Sequence, residues 1–100
     1  MNVLFRYSPD FTKVNAVYWE NEGVVRRKFL RSDGEVLEAD VEKGSLANIC
    51  DRVGGSHIVL YAAVVDDLRS AFQYLGKASD LVELLPEADI DCSPTNDTAA

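Results

Sequence analysis

Cysteine is scarce in this 100-residue chain: Cys50 lies in an apolar helical pattern and Cys92 in a polar stretch. That excludes a scaffold held by several disulfides and a zinc site built from cysteine pairs. Both cysteines are expected as free thiols in a reducing compartment. Histidine occurs once, at His57, so His57 and two separated cysteines fall short of the ligands that zinc needs. The carboxylates lack calcium-loop spacing, and neither a metal nor a cofactor is expected. No apolar run approaches the ~20 residues of a membrane-spanning helix, so no membrane association is expected. The first residues carry neither a basic leader nor a long apolar stretch, which gives a cytoplasmic expectation. Positive charge is in deficit, with 10 basic against 17 acidic side chains and a net charge of −7. Such a balance repels a phosphate backbone and favours solubility or a basic partner.

What the chain does contain is an ordinary apolar share of 47%, enough for one core. A single domain is expected over residues 1–87. The acidic, polar residues 88–100 have little to bury and are expected to form a flexible tail. Within the domain, the alternation Val3, Phe5, Tyr7 predicts a strand that Ser8-Pro9-Asp10 stops. Residues 14–20 are rich in β-branched and aromatic side chains and predict a second strand. Asn21-Glu22-Gly23 reads as a three-residue connection with glycine left-handed, returning the chain antiparallel over residues 24–31.

Ser32-Asp33-Gly34 repeats the device and predicts a fourth strand over residues 35–41. A three-residue loop there sets Arg31 opposite Glu35, Phe29 opposite Leu37, Lys28 opposite Glu38, Arg26 opposite Asp40 and Val25 opposite Val41. Apolar groups then meet apolar groups and opposite charges meet, which a two-residue turn on Asp33-Gly34 would lose. Ser45 and Gly54-Gly55 bracket a short helix bearing Leu46, Ile49, Cys50 and Val53. The apolar run at residues 57–62 predicts a strand in a central or protected position. Asp66-Asp67 opens a helix carrying Leu68, Ala71, Phe72 and Leu75, which Gly76 stops, and Asp80 is expected to cap a last helix ahead of Pro86.

The fold class expected is α+β: an antiparallel meander of about four strands plus one further strand, with two or three short helices packed on one face. Val17, Trp19, Val25, Phe29, Leu37, Ala39 and Val41 are expected to face those helices. Val14, Ala16, Tyr18, Val24, Arg26, Lys28, Leu30, Glu38 and Asp40 are expected on the other face. Val14, Tyr18, Val24, Arg26, Lys28 and Leu30 are the candidate partner-binding residues, led by Tyr18 and Arg26, since tyrosine and arginine dominate binding hot spots. Arg27 points awkwardly toward the helix side, where it can snorkel to the margin or reach Asp51.

No catalytic constellation is legible. His57 has no local nucleophile or orienting carboxylate, and adjacent Asp66 and Asp67 point about 100° apart on a helix, so a capping role is the simpler reading. Gly54-Gly55 lacks the Gly-Lys-Ser/Thr signature of a phosphate loop and reads as a helix stop. A non-enzymatic protein-binding inhibitor or regulator, acting by occupying a macromolecular surface, is the function expected; a homodimer is compatible with it. Small acidic chains are common among phage and mobile-element products that block host machinery or defence, and that association extends to this chain as an expectation only. Two alternatives stand beside it. One is a nucleic-acid-binding module using Tyr18, Arg26, Lys28 and Arg31; the other is an acidic mimic of nucleic acid, with carboxylates dense at Glu35, Glu38, Asp40 and Glu42.

Overall fold

The computed structural model of the protein describes residues 1–53 and 60–90. The readings on Gly54-Gly55, His57 and Cys92, and that on the Cys50 side chain, fall outside what is described. The strands are β1 (Asn2–Tyr7), β2 (Val14–Asn21), β3 (Val24–Leu30), β4 (Val36–Lys43) and β5 (Leu60–Val64), and the helices are α1 (Leu46–Val53), α2 (Leu68–Phe72) and α3 (Ser79–Val82). They form an α+β fold around one five-stranded antiparallel sheet of order β4-β3-β2-β1-β5. β4 and β5 run in the same direction at opposite edges, so the chain between them must return across the sheet, and α1 lies in that crossover.

The β3–β4 hairpin follows the sequence pattern closely. Gly34 is left-handed at φ 89°, its N–H reaches the Arg31 carbonyl at 2.9 Å, and the Arg31 N–H reaches the Glu35 carbonyl at 2.8 Å. The Asp33 carboxylate accepts the Glu35 N–H at 2.9 Å, which is the reason an aspartate suits this loop. Phe29 then faces Leu37, Lys28 faces Glu38 and Arg26 faces Asp40, as the charge pattern requires. Beyond Arg26 the register slips, and Val25 pairs with Glu42 instead of Val41, so Val41 is the extra residue of a β-bulge.

The β2–β3 hairpin departs from expectation in a way that reorganises both faces. Glu22 and Gly23 have φ of 54° and 77°, and Asn21 pairs directly with Val24, so the connection is a two-residue turn with both central residues left-handed. Glutamate is a rare choice there, and the Asn-Gly or Asp-Gly signal that announces such turns is missing from the sequence. A one-residue slip turns the whole of β2 over relative to β3. Val17 and Trp19 therefore stand beside Lys28 and Arg26, while Ala16 and Tyr18 stand beside Phe29 and Arg27.

Each face of the sheet carries its own core, which corrects the expectation of helices on one face only. On the first face Val3, Phe5, Val14, Val17, Trp19 and Ala63 are buried under Ala71, Val82, Phe72 and Leu75 from the α2–α3 segment. Edge-to-face ring pairs anchor that segment, Trp19 with Phe72 at 5.2 Å and Phe5 with Tyr74 at 5.5 Å between centroids. On the second face Leu4, Ala16, Tyr18 and Val25 are buried with Leu46 and Ile49 of α1. Two cores in one small domain need apolar residues on both sides of β1 and β2, and both strands have them.

The helix ends are satisfied locally. Asp67 caps α2, its carboxylate accepting the Ser70 N–H at 2.8 Å, which also holds the Asp67 carboxyl below its usual range. Asp80 does not cap α3 as expected; it lies in the first turn, Ala78 occupies the cap position without a side-chain bond, and the Ser79 hydroxyl instead donates to the Phe11 carbonyl. Serine at the helix start is thus engaged by the neighbouring loop.

β5 pairs only with β1 among the named strands, yet its outer side is covered. The Val64 N–H reaches the Pro86 carbonyl at 2.9 Å and the Ala88 N–H reaches the Ala62 carbonyl at 3.0 Å. Ala88 is buried and Ile90 packs on the α1 core, so the ordered chain continues past the expected boundary at residue 87; residues 91–100 lie outside the described part.

The turn assignment is testable. Glu22→Asn should raise stability by about 0.5–1 kcal/mol, because asparagine tolerates the left-handed conformation better than glutamate. A shift of the urea midpoint to higher concentration is the expected result, and a three-residue loop would show none.

Candidate functional site

The six residues singled out from the sequence do not form one surface. Val14 is fully buried in the α2–α3 core and Tyr18, at 2% exposure, is buried in the α1 core on the opposite face. Val24, Arg26, Lys28 and Leu30 do share a face by strand alternation, and all four are half-buried. The slip at the Glu22–Gly23 turn sends Tyr18 to the opposite face from these four, while Val14 shares their face but is covered by the α2–α3 segment.

The positive charges on that face are engaged. Arg26 reaches Glu38 at 2.9 Å through Nη2 and Asp40 at 2.8 Å through Nε, so one guanidinium spans both carboxylates. It also lies over the Trp19 ring at 5.9 Å. Lys28, opposite Glu38 in register, places its ammonium 4.0 Å from the centre of the Phe72 ring on α2. Arg31 makes longer contacts, 3.4 Å to Asp33 and 3.6 Å to Glu35. Arg27 stands on the α1 face with its guanidinium 4.4 Å over the Phe29 ring.

The neglected feature is the outer edge of β4. This strand pairs with β3 alone, and among the described residues nothing bonds to its other side. It is the least buried strand of the sheet, with Val36 45% exposed. The Arg31 N–H to Glu35 carbonyl bond fixes the alternation of the ladder, so Val36, Glu38 and Asp40 fall at the sites whose backbone groups point away from β3. The sequence carried a signal for this in the acid at every second position from Glu38 to Glu42, since charge is a common device on strands that end a sheet.

Elsewhere, a cleft of about 340 Å³ between the end of β5 and α2 is lined by Asp66, Ser70 and Tyr74 among others. None of its lining groups is an imidazole, thiol or amine. Burial, together with Glu83 and Tyr61, pushes the Tyr7 phenol up to about 12, which keeps it protonated at neutral pH. No group of three or more histidine, cysteine, aspartate or glutamate side chains is arranged to hold a metal among the described residues. None of their helices is long and apolar enough to cross a membrane. No family model, no curated protein and no solved structure matches the chain.

Burial sorts the six residues by experiment. Tyr18→Ala should cost about 3–5 kcal/mol, the scale for emptying an aromatic core site. Arg26→Ala should cost about 1 kcal/mol, because its ion pairs are partly exposed. Chemical denaturation of the two variants should therefore differ severalfold in lost stability; similar small losses would place Tyr18 at the surface.

Proposed function

We propose that the protein is a non-enzymatic binding protein, an inhibitor or regulator that occupies another protein's surface by lending the free edge of β4 to an extended segment of that partner. The observation that carries this reading is the unpaired side of β4, where Val36, Glu38 and Asp40 direct backbone donors and acceptors outward. Added strands gain their affinity from such main-chain bonds and their specificity from alternate side chains. Residues 35–43 contain Glu35, Glu38, Asp40 and Glu42 against one lysine, Lys43. Arg26 and Arg31 already contact Glu38, Asp40 and Glu35. Pairing β4 with a second copy would therefore bring partly compensated acids together, and a segment that adds basic groups would complement them better.

An exposed edge is also an aggregation hazard that proteins blunt with charge, so acidity here has a protective role beside the binding one. The rival surface is apolar: Phe11, Leu81 and Leu84 are exposed, Leu84 to 81%.

Proline separates the two surfaces. Glu38→Pro removes an outward N–H and leaves the β3 ladder intact, while Leu37→Pro removes a ladder bond and should cost about 3 kcal/mol. In quantitative capture from a host lysate, Glu38→Pro should stay folded and lose the retained partner, and Leu84→Lys should keep it. Retention by Glu38→Pro with loss by Leu84→Lys would overturn the assignment.

A further inference from the structure

A β-bulge on β2 builds a small polar slot on the α1 face. Arg6 pairs with Ala16 but Tyr7 pairs with Val14, so Asn15 has no opposite residue. Val14 and Val17 both belong to the α2–α3 core, which leaves Asn15 and Ala16 together on the other side. Ala16, with its single methyl, stands between Arg6 and Phe29 in one row across the sheet. The space above it is a pocket of about 130 Å³, lined by Arg6, Asn15, Ala16, Arg27, Phe29 and Leu30.

The chemistry of this lining is one-sided. Among the described residues it holds two guanidinium groups and no carboxylate, in a chain whose net charge is −7. Neither Arg6 nor Arg27 is ion-paired among the described residues, whereas Arg26 and Arg31 both are. The one hydrogen bond of the Arg6 side chain, from Nη1 to the Tyr18 hydroxyl, is long at 3.5 Å. Arg27 Nε and Asn15 Oδ1 are buried with no hydrogen-bond partner. A guanidinium can only donate and an amide oxygen can only accept. A ligand complementary to this lining would offer acceptors to the arginines and a hydroxyl to the asparagine.

We propose that this slot binds inorganic phosphate, with Arg6 and Arg27 donating to its anionic oxygens and Asn15 Oδ1 accepting its remaining O–H. The pocket is well below the roughly 300 Å³ at which sites take drug-sized ligands, so it suits one tetrahedral oxyanion. Arginine's fixed fork of donors matches such an anion, and Phe29 beneath Arg27 holds that fork in place. Sulfate has the same shape and lacks the hydroxyl at neutral pH. A phosphate monoester, with a second pKa of about 6, lacks it too at pH 8. Asn15 thus selects free phosphate over both.

The test is an amide chemical-shift titration of the full chain at pH 8 and constant ionic strength, using inorganic phosphate, sulfate and methyl phosphate in turn. Saturable shifts at residues 6, 15 and 27 are expected with phosphate, and binding of the other two should be weaker by about tenfold, the worth of one hydrogen bond. Arg27→Gln should weaken phosphate binding by about tenfold or more. Equal affinity for the three anions, a response that does not saturate, or saturable shifts centred away from these residues would overturn the site. The comparison of anions needs only the unaltered protein, so it stands whether or not the variant folds.

Discussion

The two-residue turn at Glu22–Gly23 sets Asn21 opposite Val24, and from that pairing every contact between β2 and β3 follows. Because side chains alternate along a strand, the pairing decides that Trp19 meets Arg26 and that Tyr18 meets Arg27. Trp19 is thereby available to Phe72, and α2 docks on that side. Tyr18 is delivered to the opposite core, beneath the crossover that carries α1. A turn longer by one residue would place these aromatic rings on the wrong sides of the sheet, and neither core would close.

The sheet is unevenly covered. β1 and β2 are buried on both faces, whereas β3 has one fully buried residue, Val25, and β4 has none. The β3–β4 ribbon is held instead by its backbone ladder, by the Arg26 clamp on Glu38 and Asp40, and by the Lys28–Phe72 contact. Exposed ion pairs each contribute little, so this ribbon is the part of the sheet with the weakest side-chain anchoring. That combination is consistent with the proposed use of the edge, since among the described residues nothing bonds to the outer side of β4.

Two bulges do different work. The one at Val41 bends β4 near its end, where Val41 still packs on the α1 core. The one at Asn15 turns a polar side chain to the α1 face while Val14 and Val17 keep the α2–α3 core intact. An inserted residue re-aims one side chain without disturbing the strand on either side of it. The loop that precedes β2 is well bonded, with Ser8 and Thr12 holding the Asp10 carboxyl down to about 2 and the Thr12 carbonyl receiving the Ser79 N–H.

Sequence alone determined the elements and one register. Alternation, turn glycines and the Asp67 cap located the first four strands and the helices closely. The last strand lies at Leu60–Val64 against an expected 57–62, and Asp80 is not the cap of α3. Opposed charges pinned β3 against β4, because local backbone preference and cross-strand pairing are both written in nearby residues. Sequence alone did not determine which face each strand presents to which helix. That choice rested on Glu22 accepting a left-handed backbone that glutamate seldom adopts, a local cost of about 1–2 kcal/mol that burial of Trp19 and Tyr18 in separate cores outweighs. The placement of Asn15, Arg6 and Arg27 around Ala16 was likewise beyond sequence reasoning, since residues far apart in the chain become neighbours only once the sheet order and its bulges are set. Tertiary packing decided those features because a strand's two faces are equivalent until something distant covers one of them.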